Sequence, residues 1–372
     1  GQRVRALEAI RRAATIRNTP ELRREAIAAL ALPDLRHDRT LPFDSTFTAR
    51  QIDPRFERIA LARGRDHVQI RRVTDGALLA TLPATTNLAC YSITWSRDGR
   101  FIAVKRDHDT GDARAVVEVW DLDGTPRAVR VVPDARRNVR DFHPQLPHLL
   151  TSDAEGRVVT WDLGNASERA RQVLFKPDPE VVLHSPGGRH LGVLHPGDGR
   201  STVTIHDAES GRLLIAREFA ADGFSLAWHP SEDLLAVTDR RGTVRLVEVA
   251  TGDLQTLGRH RAEAVTAVFD RTGRYLFTGG WERSMICWDV QHRERAYILE
   301  RDGYHLQVRA DSDACALLTT GGIEFLEAEY PAQRRFPEDL GSRLRFAAFS
   351  SDGRWLAASA DERLGVWDLH HP

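Results

Sequence analysis

The chain has 372 residues, 41% of them hydrophobic and 28% charged, enough to bury a sizeable core and too mixed to be disordered or fibrous. Lys and Arg number 52 against 53 Asp and Glu, a formal net charge of -1. That balance argues against a nucleic-acid surface or an anionic-membrane binder and confines any basic patch to a locality.

The first predicted elements are helices. Val4, Leu7, Ile10 and Ala14 share one helical face, and Leu22, Ile27 and Leu30 share another after the break at Asn18-Thr19-Pro20, so residues 1–34 read as a helical hairpin. Thr19 can cap the second helix, Pro20 sits in its first turn where a missing N–H costs nothing, and Pro33 ends it. The opening has no apolar signal core, and no run of about eighteen apolar residues occurs along the chain. No N-cap precedes Val4, as expected of a segment cut from a longer polypeptide.

From residue 35 onward the pattern changes to short apolar alternations punctuated by Gly, Asp and Pro, and these repeat. Aligning on Trp120 gives Arg71, Trp120, Trp161, His206, Val247, Trp288, Leu326 and Trp367, separated by 49, 41, 45, 41, 41, 38 and 41 residues. Eight units result, each of the first seven reading as four short strands. The two longest separations come from insertions at Asp107 to Arg114 and at Pro196 to Arg200.

The pairs Trp120-Asp121, Trp161-Asp162, Trp288-Asp289 and Trp367-Asp368 carry a resemblance, as does the phrase Phe349-Ser350-Ser351-Asp352-Gly353-Arg354-Trp355-Leu356-Ala357. Residues 35–372 resemble the WD-repeat β-propeller family. The resemblance implies an all-β fold of four-stranded blades around a central channel, because a blade buries both faces only against neighbours. Eight blades are expected, with seven, the commoner number in the family, as the alternative. The family's tetrad of loop His, strand Ser or Thr, turn Asp and Trp is largely degraded. His260, Thr278 and Trp288 match it in the sixth unit, where Trp281-Glu282 occupies the turn expected to hold Asp. Ser359, Asp361 and Trp367 match it in the eighth, which lacks the His. That last unit stops after three strands, and residues 35–41 are expected to supply its outer strand and lock the ring.

A narrower resemblance lies in Gly1-Gln2-Arg3, Leu7-Glu8-Ala9-Ile10, Pro20-Glu21-Leu22-Arg23 and the run from Glu25 to Leu35. These are similar to the stretch before the propeller in large serine/threonine protein kinases of planctomycete-type bacteria. In that family a kinase domain, usually a membrane span and a helical linker come first, which would make the parent membrane-anchored.

The chemistry expected of this segment is sparse. Gly-rich phosphate loops, a His-Arg-Asp loop, Asp-Phe-Gly, Gly-x-Ser-x-Gly and His-Glu-x-x-His are all missing from the sequence, so no catalytic residue and no cofactor is assigned. Cys90, Cys287 and Cys315 lack paired spacing and make neither a disulfide framework nor a Cys-x-x-Cys zinc site. His184, His190, His195 and His206 fall in one unit, but positions 190 and 195 point to opposite faces of a strand, against a zinc site. Asp107, Asp109 and Asp112 could grip calcium, with a solvated loop as the bland alternative. His143-Pro144 and His229-Pro230 read as structural turns, and Cys287 as a small buried residue.

A binding surface remains. In a propeller the loops that link blades and the turns between second and third strands share one rim, which collects Arg63, Arg65, Arg136, Arg137, Arg240, Arg241, Arg259, Arg261 and Arg283 around Trp281. Arg and Trp dominate interface energetics. Asp239, Glu263 and Glu282 would neutralise the set if they faced it. Trp281, after two glycines, is expected to project outward. The expected function is a non-catalytic interaction or sensing scaffold for a protein or peptide, acidic or phosphorylated, in a signalling parent. The alternatives are a propeller enzyme with acidic side chains in the channel, and a structural spacer.

Overall fold

The computed structural model describes residues 2–17, 19–30, 34–42, 46–107, 115–152, 157–164, 172–173, 179–195, 197–300, 305–319, 321–329, 344–350, 354–360 and 363–368. Two compact units result, Gly1–Glu329 and Tyr330–Pro372. The first opens with helices Gln2–Ile16 and Pro20–Leu30. The Thr19 hydroxyl accepts a hydrogen bond from the Leu22 amide at 3.4 Å, the cap its position implies. Pro33 lies outside the described residues.

Among the described residues all strand pairings are antiparallel, in sheets that follow chain order. The first sheet joins Ala49–Ile52, Arg58–Ala62, Val68–Arg72 and Leu78–Leu82. The second joins Ala89–Trp95, Phe101–Asp107 and Ala115–Asp121 to the long strand Arg127–Phe142, which runs on to open the third with His148–Ser152, Val158–Asp162 and Gln172–Val173. The fourth is Val181–His184, His190–His195, Ser201–Asp207 and Leu213–Phe219, and the fifth Gly223–Trp228, Leu234–Asp239, Thr243–Glu248 and Leu254–Arg259. The sixth is Ala264–Phe269, Tyr275–Gly280, Ser284–Asp289 and Glu294–Leu299. The seventh takes His305–Val308, Ala314–Thr319 and Gly322–Glu329 and adds Asp34–Pro42 as its outer strand.

Each sheet buries one face on the next. Ile70 packs with Ile93 and Trp95, Val119 with Phe142 and Leu149, Leu150 with Val182, Val203 with Leu226, and Leu246 with Phe269 and Ile286. Ala264–Phe269 lies against His305–Val308. The seventh sheet then returns to the first: Ile323 and Phe325 share a core with Ile52, Phe56 and Ile59, and the Phe56 and Phe325 rings meet edge to face at 5.9 Å. Among the described residues of this unit seven sheets follow one another and the seventh meets the first; eight blades were expected, with seven as the alternative.

The expected closure is corrected in the same way. Leu35 to Leu41 pairs with the third strand of the seventh repeat, Leu35 opposite Ala328 and Leu41 opposite Ile323, instead of completing the eighth. The physical reason is that Leu35, 3% exposed, finds its burial on this third-strand edge. The eighth repeat forms a three-stranded sheet, Leu344–Phe349, Trp355–Ala360 and Arg363–Asp368, within the second unit.

The turns after first strands are tied from sheet to sheet by side chains reaching the next turn. The Arg58 guanidinium donates to the Gly99 carbonyl at 2.6 Å, and His229 Nε2 to the Gly273 carbonyl at 3.0 Å. His143 takes this role toward Gly188, while its Nδ1 accepts the amides of Gln145 and Leu146 at 3.1 and 3.0 Å. Both His-Pro pairs thus act structurally. Burial, with His184 and His148 nearby, lowers the His143 pKa to about 4 from 6.5. Because the unfolded chain takes up that proton first, the stabilisation from neutral His143 is complete above about pH 6.5 and is lost as pH falls toward 4. Melting curves from pH 7.5 to 4.5 should show this decline, and His143→Gln should flatten it.

A candidate interaction rim on the fifth and sixth sheets

Three short segments build the rim: the turn 239–243, the linking loop 259–263 and the turn 280–284. Buried Asp239 accepts the amides of Arg241 and Thr243, both at 2.8 Å, and its other oxygen holds Arg245. A Cβ on Gly242, whose φ is +83°, would lie 2.2 Å from the Ala262 carbonyl oxygen, so only glycine lets the loop lie this close. The segments lock through backbone groups. His260 N–H donates to the Gly242 carbonyl at 2.8 Å, Trp281 N–H to that of Glu263 at 3.0 Å, and Arg259 Nε to that of Arg241 at 2.8 Å.

Inside the sixth sheet a full relay forms. Trp288 Nε1 donates to Thr278 Oγ1 at 2.8 Å, Thr278 Oγ1 lies 2.7 Å from His260 Nε2, and His260 Nδ1 lies 2.6 Å from Glu282 Oε1. Ser284 donates to the same carboxylate oxygen at 2.6 Å. Glu282 thus fills the place expected of Asp. Burial holds His260 below the usual imidazole range, although Glu282 pulls the other way. For Glu282 burial pushes upward, and the hydrogen bonds from Ser284 and His260 outweigh it, leaving the carboxyl below its usual range.

Since Glu282 turns inward, its neighbour Trp281 turns outward and is 52% exposed. Arg240, Arg241, Arg259, Arg261 and Arg283 are all exposed around the same three segments. Of the three acids able to neutralise them, Asp239 and Glu282 are committed inward. Glu263 remains, 3.3 Å from Arg240, whose guanidinium also lies over the Phe224 ring. Arg283 sits at φ +63°, where the corresponding turn of the fifth sheet uses Gly242.

The other arginines predicted for the rim lie on other sheets. Arg63, stacked over Phe47, and Arg65 belong to the first sheet's turn. Arg136 and Arg137 lie on the long strand Arg127–Phe142, Arg136 opposite Ser152, and their side chains fall outside the described residues.

On the opposite turns, the second residue after each first strand forms a ring: Pro54, Arg97, Pro144, Pro186, Pro230, Arg271 and Ala310, one from each sheet. They surround a cavity of about 550 Å³ at the channel mouth. Sequence reasoning passed over this ring, whose signal is one turn position repeated seven times.

The remaining candidates resolve structurally. His195, Thr204 and His206 form one hydrogen-bonded chain, at 3.1 and 2.9 Å, while His190 stacks on Trp228. Asp107 lies 3.2 Å from Lys105, and Asp109 and Asp112 lie outside the described residues, as does Asp361. Among the described residues no group of three or more His, Cys, Asp or Glu is arranged to hold a metal. Burial pushes the Cys90 thiol up to about 11, Cys315 to about 12 and Cys287 well above its usual value, as for inert core thiols.

This architecture defines a WD-repeat type of β-propeller. Residues 252–289 and 339–368 match the family "WD domain, G-beta repeat". Similar proteins include Denticleless protein homolog B of Xenopus laevis, 25% identical over 50% of this chain and 26% of that protein. Protein groucho of Drosophila melanogaster is 25% identical over 51% of this chain and 25% of its own length. Transducin-like enhancer protein 2 of Mus musculus is 25% identical over 48% and 23%. The matches thus span about half of this chain and about a quarter of each relative. Both matched stretches carry WD repeats.

Proposed function

We propose that this chain is a non-catalytic interaction scaffold that docks a protein segment on the rim of its fifth and sixth sheets. The observation that carries the reading is an exposed Trp281 among Arg240, Arg241, Arg259, Arg261 and Arg283, with two of the three neighbouring carboxylates turned inward. A flat apolar centre ringed by guanidinium groups suits an acidic or phosphorylated peptide, because arginine pairs bidentately with carboxylate and phosphate. The similarity to the WD-repeat relatives supports a scaffold reading in general. The resemblance of residues 1–35 to the stretch before the propeller in bacterial serine/threonine kinases supports a place at the C-terminal end of such a kinase, with signalling as its setting.

The test is an array of acidic and phosphorylated peptides probed with the wild-type chain, Trp281→Ala and Arg241→Ala. Trp281→Ala should weaken the best peptides about thirtyfold, the effect of losing an anchor worth about 2 kcal/mol. Its melting temperature should stay nearly unchanged, since the side chain is exposed. Unaltered peptide binding by Trp281→Ala would overturn the reading.

A further inference from the structure

We propose that the channel mouth on the face opposite the rim is a binding site for a small amphipathic anion, an aromatic body bearing a carboxylate or phosphate. The cavity of about 550 Å³ falls within the range of ordinary ligand pockets. Its walls include Trp95, Phe142 and Trp228. Both indoles spend their N–H on backbone carbonyls, Trp95 on Gln51 and Trp228 on Leu183, each at 3.1 Å. They offer the cavity only apolar surface.

The charge at the mouth is basic and available. Arg97 is exposed and reaches from the second sheet to the fourth, where Nη1 donates to the Pro186 carbonyl at 3.0 Å. Among the described residues no carboxylate forms an ion pair with it. Arg271 is exposed and held only loosely, 3.7 Å from Asp313. The two acids that line the cavity are occupied. Asp141 accepts the His184 amide at 2.8 Å and lies 3.1 Å from its ring nitrogen. Asp270, 1% exposed, accepts the Tyr275 amide at 2.8 Å.

An entering anion therefore meets two under-neutralised guanidinium groups above an aromatic wall. The bond from Arg97 to the Pro186 carbonyl is to a neutral acceptor, and a charge-assisted bond to an anion gains more than the one it replaces. Prolines at four of the seven ring positions fix the turns, so the mouth is pre-organised.

Tryptophan fluorescence titrations with 1-naphthoate, 1-naphthyl phosphate and neutral 1-naphthol test this. Both anions, or one of them if the site prefers carboxylate or phosphate, should bind with one site per chain, and 1-naphthol at least about tenfold more weakly. Arg97→Gln and Arg271→Gln should each weaken the preferred anion about fivefold or more, with melting temperatures unchanged, and Trp281→Ala should leave it unaffected. Equal binding of 1-naphthol, or anion binding indifferent to the double Arg97→Gln/Arg271→Gln change, would overturn the proposal. So would displacement by an acidic hexapeptide that binds more tightly than either naphthyl anion, since the mouth would then be a peptide surface.

Discussion

Deleting residues 1–42 is expected to lower the melting temperature by about 10 °C or more and to drive the chain into aggregates, while deleting residues 1–33 alone should change little. The strand Asp34–Pro42 makes eight paired positions with Gly322–Glu329 and buries Leu35. It is drawn from the start of the sequence to finish a sheet built near its end, so its loss leaves Gly322–Glu329 as an unpaired edge that invites another chain. Burial of its leucines and the lost ladder together are worth about 5 kcal/mol, a large share of an ordinary domain's stability. Light scattering during thermal melts of the two truncations separates the strand from the helices. Equal behaviour of both would show that the strand does not hold the seventh sheet.

The second large effect concerns the second sheet, where Arg106 and Glu118 are each 0% exposed and paired at 2.9 Å. Glu118 also accepts the Thr85 amide and hydroxyl, at 2.8 and 2.5 Å, and Arg106 reaches the carbonyls of Asp66 and Leu88 at 3.2 and 3.4 Å. The pair thus ties the loop entering the sheet to the turn of the first. Glu118→Ala strands a buried guanidinium and should cost about 3–5 kcal/mol in denaturant melts. The double variant Arg106→Met/Glu118→Leu should recover much of that loss, because removing both charges removes the penalty of leaving one unpaired. A single variant no worse than the double would show the site to be hydrated.

The repeat was legible from residues such as Trp120-Asp121 and Trp288-Asp289, because every four-stranded sheet needs the same turns and the same buried third strand. The number of sheets that close was not. Eight units of similar length look alike locally, whereas closure depends on a contact such as Phe56 on Phe325, far apart in sequence. The strand at 35–41 was legible as a closing strand, but its alternation fits any open third-strand edge, and so its partner was misassigned. At the rim, the outward course of Trp281 was readable from the double glycine before it. The inward course of Glu282 was not, since one additional methylene lets a glutamate reach His260 where the family pattern expects Asp. Nor could composition separate Arg240 and Arg259, which meet around interlocked loops, from Arg63 and Arg136 on other sheets.

The most direct test of the rim is hydrogen–deuterium exchange of the wild-type chain with and without its tightest-binding acidic or phosphorylated peptide. New amide protection is expected to concentrate in residues 239–243, 259–263 and 280–284. Protection confined to the turns around Pro54, Pro144 and Pro186, with those three segments unchanged, would contradict it.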